Sequence, residues 1–280
     1  MHAALSTLVP STINRTSAMN RGSWRTGDGR ARAADFTVQS PDSTPCGSPA
    51  FRPPSLSVFA GVALLRHLRV PMKILLLGAS GRTGRIFLSR ALDHGHSVTA
   101  VVRQPGAISE GDRPGLRMVV ADPLSGNDLV PLLSGQDAVV SCLGQTSHAA
   151  PYLLRDAAIA TEAAIARSNP NLRYLTISQA LLFPTRNPLV LLIRLIYRRV
   201  QRDSSAMEHV VRAGPAPWTI VRPTRLVDSK GPPGCTAATD LRPKASATLR
   251  RTDLADFLLE EATSPHYVRQ IVGLTSGTPP

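Results

Sequence analysis

Three glycines recur at every third position in Gly78-Ala79-Ser80-Gly81-Arg82-Thr83-Gly84. They follow the wholly apolar run Ile74-Leu75-Leu76-Leu77 and precede a helical pattern. A short apolar run of this kind reads as a strand buried on both faces of a parallel sheet. Strand, glycine turn and helix in that order make an anion cradle. Glycine lets the backbone turn sharply and come close to a phosphate, and the free N–H groups at the helix start carry the partial positive charge that holds it. Ser80, Arg82 and Thr83 share that turn. The spacing is GxxGxxG, not GxGxxG, and the chain has 20 glycines, so the bare pattern says little. Its strand-to-helix setting is what predicts a pyrophosphate, and with it a dinucleotide.

Charge bears on which dinucleotide. A site for NAD usually carries Asp or Glu at the end of the second strand, on the ribose 2′-hydroxyl. Here that place holds Arg103, with Arg82 in the glycine turn and Gln104-Pro105 following. A guanidinium forks onto phosphate, so the pair predicts NADPH; otherwise both arginines are merely solvated. Asp122 follows the third strand, where its carboxylate would either accept from an adenine amino group or open an Asp-Pro turn. Cys142-Leu143-Gly144 ends the fourth strand, where the backbone is expected to line the cofactor. Cys142 itself reads as a small packing residue with no basic partner.

These residues need a scaffold that carries them to one edge. Apolar strand patterns recur at Val98–Val102, Leu116–Val120, Asp137–Cys142, Leu172–Ser178 and Trp218–Val221, with a last edge strand over Gln270–Leu274. Helical patterns alternate with them at Arg82–His94, Asn127–Leu133 capped by Ser125, Pro151–Arg167, Leu189–Arg212, and Asp253–Glu261 capped by Thr252. Residues 228–247 read as loop. Strands and helices alternating at this pace predict an α/β, Rossmann-like, doubly wound parallel sheet in a single domain over 72–280. Residues 1–71 differ. They are rich in Ser, Thr, Arg and Pro, poor in acids, and keep no period. That composition predicts a disordered extension. It fits a transit-like leader, a disordered tail, or a start upstream of the true one, the last favoured because Met72 directly precedes the first strand.

The net charge is +13, but it is not gathered in one block or interleaved with aromatics, which make up 4% of the chain. Nucleic acid is therefore not expected as a partner. No apolar run is long enough to span a bilayer, and no membrane partner is expected. Cys46, Cys142 and Cys235 form no CxxC pair, and no His cluster has ligand spacing. This predicts no metal and a reducing, cytoplasmic setting, or an organelle if residues 1–71 are a genuine leader.

The glycine turn, Val101-Val102-Arg103, Gly135-Gln136-Asp137-Ala138-Val139, Ser178-Gln179-Ala180-Leu181-Leu182, Trp218-Thr219-Ile220-Val221-Arg222-Pro223 and Arg251-Thr252-Asp253-Leu254 come in a familiar order. Together they resemble the atypical short-chain dehydrogenase/reductases with an NAD(P)H-binding domain, most of all the biliverdin reductase B, or flavin reductase, subgroup. The resemblance runs from Met72 to about Leu274. It implies NADPH across the strand ends and Ser178 facing nicotinamide and substrate as the catalytic position. It also implies that Arg222, Pro223, Thr224 and Leu226 border the nicotinamide, and that the protein is a monomer. The Tyr-x-x-x-Lys pair of ordinary short-chain reductases is absent: Tyr197 is followed four residues on by Gln201. The subgroup also lacks that pair. Its histidine after the fifth strand is matched here by Glu208, which is expected to be structural, with His209 one position along.

The expected function is hydride transfer from NADPH to a flat conjugated small-molecule acceptor: a flavin such as FMN, a quinone or a tetrapyrrole. The alternative is a non-catalytic NADP(H) sensor of the NmrA type. The acceptor pocket is expected from residues 144–152, 179–190 and 223–247, with Leu181, Leu182 and Phe183 as an apolar wall. The apolar face of Leu189–Ile196 is expected either to serve a partner or to be buried under the sheet, the second being favoured.

Overall fold

The computed structural model describes residues 70–277, apart from 110, 112, 146–150, 229–233 and 242. The extension expected over 1–71 lies outside the described residues, except for 70 and 71. The scaffold starts from β1 (Lys73–Leu77), whose last four residues are buried. Alternate side chains of a strand point to opposite faces. Ile74 and Leu76 accordingly join one core, with Phe87, Leu88, Leu254 and Leu258. Leu75 and Leu77 join the other, with Leu129, Ile165, Met207 and Val211. The helices supplying these residues are α1 (Arg82–Asp93), α2 (Gly126–Leu133), α3 (Leu153–Ser168), α5 (Arg198–Ala213) and α6 (Arg251–Thr263), while α4 (Pro188–Ile196) supplies no buried residue. Two helical layers thus cover a sheet, as an all-apolar central strand requires.

The other strands are β2 (Ser97–Val102), β3 (Leu116–Val120), β4 (Ala138–Ser141), β5 (Arg173–Ile177), β6 (Trp218–Pro223), β7 (Arg225–Val227), β8 (Cys235–Ala238), β9 (Thr248–Arg250) and β10 (Gln270–Ser276). The main sheet runs β3-β2-β1-β4-β5-β6-β10-β8, and β7 pairs with β9 in a small parallel ribbon. The first six strands follow the doubly wound Rossmann order, which reverses between β1 and β4. A ligand crevice belongs at the carboxyl ends of those two strands.

Several expectations are corrected. Residues 228–247 are not all loop. They contain β8, antiparallel to β10, so β10 is interior and β8 is the edge. Cys-Thr-Ala-Ala has no alternation to announce a strand. The helical stretch Leu189–Arg212 is two helices. Tyr197 ends α4 and begins α5, and Gln201 Nε2 donates to the Arg194 carbonyl beside the break. Helix α3 starts at Leu153, not Pro151, behind Tyr152 at φ 65°. Thr252 does not cap α6. Arg250 takes the cap position without a side-chain bond, and its guanidinium pairs with Asp253. Ser125 does cap α2, accepting from Asp128 N. Finally, the apolar face of α4 is not under the sheet: Leu189, Leu191, Leu192, Leu195 and Ile196 are all exposed. Residues of α2, α3 and α5 already cover that face of the sheet.

Candidate functional site

The turn after β1 is built so that only backbone fits. Gly78 has φ +77°, and a Cβ there would lie 2.8 Å from the Cys142 carbonyl carbon and from Leu143 N, beyond the end of β4. A Cβ on Gly84 would lie 2.1 Å from the Gly78 carbonyl oxygen. Gly81 is less constrained: it donates to that same oxygen at 3.0 Å, and an added Cβ would sit 3.2 Å from it. Gly81 takes the cap position of α1, and no side chain caps the helix. The first-turn N–H groups of α1 are therefore left to water or a ligand. Thr83 is buried and Ser80 exposed. Across the crevice, Leu143 is half-buried and Gly144 exposed, with nothing within 4 Å of an added Cβ. Cys142 is buried among the core residues, and burial pushes its thiol up to about 12.

The charged residues of this end separate. Arg103, just past β2, is exposed and has no hydrogen bond or ion pair among the described residues. Arg82 does not share that state: its guanidinium meets Asp228 at 3.0 Å, and Asp228 also takes Arg251 at 2.6 Å. Arg85, which sequence reasoning missed, ties the glycine turn to the segment after β2. Its Nε donates to the Ser80 carbonyl at 3.1 Å and its second nitrogen to the Ala107 carbonyl at 3.1 Å. Its signal was its place one turn into the helix, on the exposed side. Asp122 is in the turn-opening arrangement, Oδ1 accepting from Leu124 N at 2.9 Å.

Just past the end of β5 and at the end of β6 lies a closed polar cluster. The Ser178 hydroxyl donates to Glu208 Oε1 at 2.5 Å, and Arg222 forks onto the same carboxylate at 2.9 and 2.6 Å. The guanidinium stacks 4.8 Å from the Phe183 ring centroid. Glu208 thus ties α5 to two strands, the structural role expected of it, and His209 beside it is exposed. Ser178 has one hydroxyl proton. With that proton on Glu208, its oxygen faces other groups as an acceptor.

Beside this cluster is a cavity of about 440 Å³. Phe183, Ile193 and Pro223 give it apolar walls, and Gln179, Thr224 and Lys244 contribute polar groups. Two of the three segments expected to form an acceptor pocket, 179–190 and 223–247, do line it. Thr224 is buried, and its hydroxyl has no hydrogen-bond partner among the described residues. Buried hydroxyls are nearly always paired, so this one is set for a ligand or water. Among the described residues no His/Cys/Asp/Glu group has metal-holding geometry, and no helix is long and apolar enough to cross a membrane.

A family model described as NAD(P)H-binding matches residues 78–265. A Bacillus subtilis protein, YwnB, is 40% identical over 73 residues, which is 26% of this chain and 32% of that protein. Solved structures match over most of the chain. An oxidoreductase from Lactococcus lactis superposes with a TM-score of 0.65 at 16% identity, covering 74% of this chain and 92% of the other. A protein proposed to be an NADH-flavin reductase, from Streptococcus pneumoniae, gives 0.59 at 19%, covering 74% and 100%. An anaerobillin reductase from Escherichia coli gives 0.60 at 17%, covering 74% and 100%. At these identities the structural likeness speaks for the fold.

Proposed function

The chain belongs to the NAD(P)H-binding family, and on that premise we propose that it is an NADPH-dependent reductase acting on a flat conjugated acceptor: a flavin, a quinone or a tetrapyrrole. One observation carries the reading. Gly78 and Gly84 leave no room for a side chain where the start of α1, uncapped, meets the Cys142–Leu143 backbone. Such a cradle suits a pyrophosphate. When bound, the reduced nicotinamide supplies hydride.

The chain's own residues hold and orient. The N–H groups of Ser80, Arg82 and Thr83 bind the diphosphate, that of Gly81 being held by the Gly78 carbonyl, while Arg103 takes the 2′-phosphate and Leu143 and Gly144 line the ribose side. Arg82, held by Asp228, assists only if that solvated pair opens. Such pairs are worth at most ~1 kcal/mol, so opening is cheap. Pro223, Thr224 and Phe183 form the acceptor wall, and the Glu208–Arg222 pair fixes that wall's position. Ser178, its proton committed to Glu208, accepts a hydrogen bond from the acceptor and does not protonate it. Proton uptake from solvent then completes reduction, a route open to acceptors that are strong electron sinks.

The same closed cluster favours one rival reading, an NADP(H) sensor, because it leaves Ser178 no proton to give. A spectrophotometric assay of purified protein with NADPH and either FMN or dichloroindophenol separates the two. Oxidation at the nicotinamide band, little reduced in Ser178→Ala, supports the reductase. Tight NADPH binding with no turnover of any acceptor supports the sensor.

A further inference from the structure

Apart from Arg194, helix α4 is apolar on every side. Val190, Ile193 and Tyr197, one face by helical spacing, line the cavity. On the same face, Arg194 donates from Nε to the Leu181 carbonyl at 2.8 Å and bonds the Phe183 carbonyl with its other arm. That face is anchored. The outward one carries Leu189, Leu191, Leu192, Leu195 and Ile196, between 46% and 69% exposed. A helix apolar all round is ordinarily buried, and five neighbouring exposed aliphatics mark a surface that meets something.

The charges beside it narrow what that is. From Pro184 to Arg202 the sequence has arginine at 186, 194, 198, 199 and 202 and no acid. Arg186, Arg198, Arg199 and Arg202 are exposed, as are Arg225 and Lys244 beside the cavity. The next acid along the chain, Asp203, is buried, its carboxylate taken by the N–H groups of Leu154 and Arg155 and by the Gln145 amide. The surface is thus aliphatic in the middle and cationic at both ends, with Tyr197 at one border. A second copy of this chain fits poorly, because a two-fold interface would set the same arginines against each other. An anionic lipid surface meets both features: aliphatic side chains enter the acyl boundary while guanidinium groups meet phosphates, and an aromatic phenol sits well at that border.

We propose that α4 is an interfacial helix that docks the protein on bilayers containing anionic lipid. Such a helix lies in the plane of the interface and does not need the length to span it. Its inner face walls the cavity while its outer face meets lipid. The proposal goes beyond the reductase reading and does not depend on it, since docking is read without nucleotide.

The test is co-sedimentation of the full chain with phosphatidylcholine vesicles, with and without phosphatidylglycerol. The protein is expected to pellet with the anionic vesicles, to stay in solution with neutral ones, and to be released progressively by salt. The double variant Leu192→Glu/Leu195→Glu is expected to lower the partition coefficient about tenfold or more, with circular dichroism and NADPH affinity unchanged, since neither residue lines the cavity. If that variant misfolds, Arg198→Glu/Arg199→Glu serves in its place. Equal pelleting of wild type and variant overturns the proposal, because the aliphatic face of α4 would then take no part in binding. So does the absence of pelleting with either vesicle, which leaves the face to a protein partner. A lipid-free dimer that the double variant turns into a monomer overturns it in favour of a second copy.

Discussion

Glu208 serves two partners with one carboxylate, and its replacement separates structure from chemistry. Its side chain is 7% exposed and that of Arg222 13%. Removing one member of a buried pair strands the other charge, which costs about 3–5 kcal/mol. Glu208→Ala is therefore expected to lower the urea midpoint markedly. Ser178→Ala leaves the fork intact and forfeits one hydrogen bond, about 1 kcal/mol. A Ser178→Ala loss as large as that of Glu208→Ala would mean that the hydroxyl, not the ion pair, holds the cluster together. Glu162 gives a prediction in pH. It is buried on α3, where a Cβ on Gly214 would come within 2.1 Å of its carboxylate. Burial pushes it up from 4.5 to about 7, partly offset by the Ala216 N–H and the Arg269 charge. The folded protein then binds the proton more tightly than the unfolded chain. Glu162 therefore imposes no cost at low pH, takes stability away as pH rises from about 4.5 to about 7, and changes nothing further above that. Glu162→Gln removes the slope, and its gain over wild type is expected to reach about 2–3 kcal/mol at pH 8 and to vanish near pH 4. Chemical unfolding across that range measures it. A gain independent of pH would show that packing against Gly214, not ionisation, sets the cost.

Elements whose logic is local were legible. The run from Ile74 to Gly84 announces strand, turn and helix because each signal lies within the stretch it describes. The Ser125 cap was legible for the same reason. Asp253 was not: a Thr beside an Asp reads as a cap, yet that carboxylate holds the Arg250 guanidinium in place of a cap bond. Strand β8 was missed because Cys235–Ala238 is set by pairing with β10, far along the chain. The exposure of α4 was missed for a related reason. An apolar helix predicts burial, but whether a sheet face is still free depends on the helices already packed there. The Ser178–Glu208–Arg222 contact was only half visible, since a residue just past one strand, one on another strand and one on a helix meet through topology and not spacing. The glycine turn offers a test of its own. Gly84→Ala drives a Cβ to 2.1 Å from a backbone oxygen, and no rotamer relieves that. Gly81→Ala meets the same oxygen at 3.2 Å, with ordinary φ. The first is expected to cost about 3 kcal/mol or more and abolish nucleotide binding, the second about 1 kcal/mol or less. Thermal unfolding with calorimetry on both variants decides it. Equal tolerance would mean that the turn has slack and that the cradle argument fails.

At the scale of the whole molecule, strand order does the assembling. Reversal between β1 and β4 opens the crevice, and the parallel register of β1, β2 and β4 brings Gly78, Arg103 and Leu143 to one end of the sheet. Residues 65 positions apart thus share one end of the sheet, so a ligand bound there must report on the entire fold. A ligand that binds only the native state adds about 2.7 kcal/mol at a hundred times its Kd. For a domain of this size each kcal/mol raises Tm by about 2–4 °C. NADPH at that excess is expected to raise Tm by about 5–10 °C. If Arg103 meets the 2′-phosphate, NADH at equal concentration raises it less. Arg103→Glu loses about ten- to a hundredfold in NADPH affinity and little in NADH affinity, bringing the two shifts together. Equal shifts in the wild type would remove phosphate selection and leave the cradle standing. No shift with either nucleotide would remove the cradle as well, and the reductase and sensor readings with it, while leaving lipid docking by α4 to be judged on its own measurements.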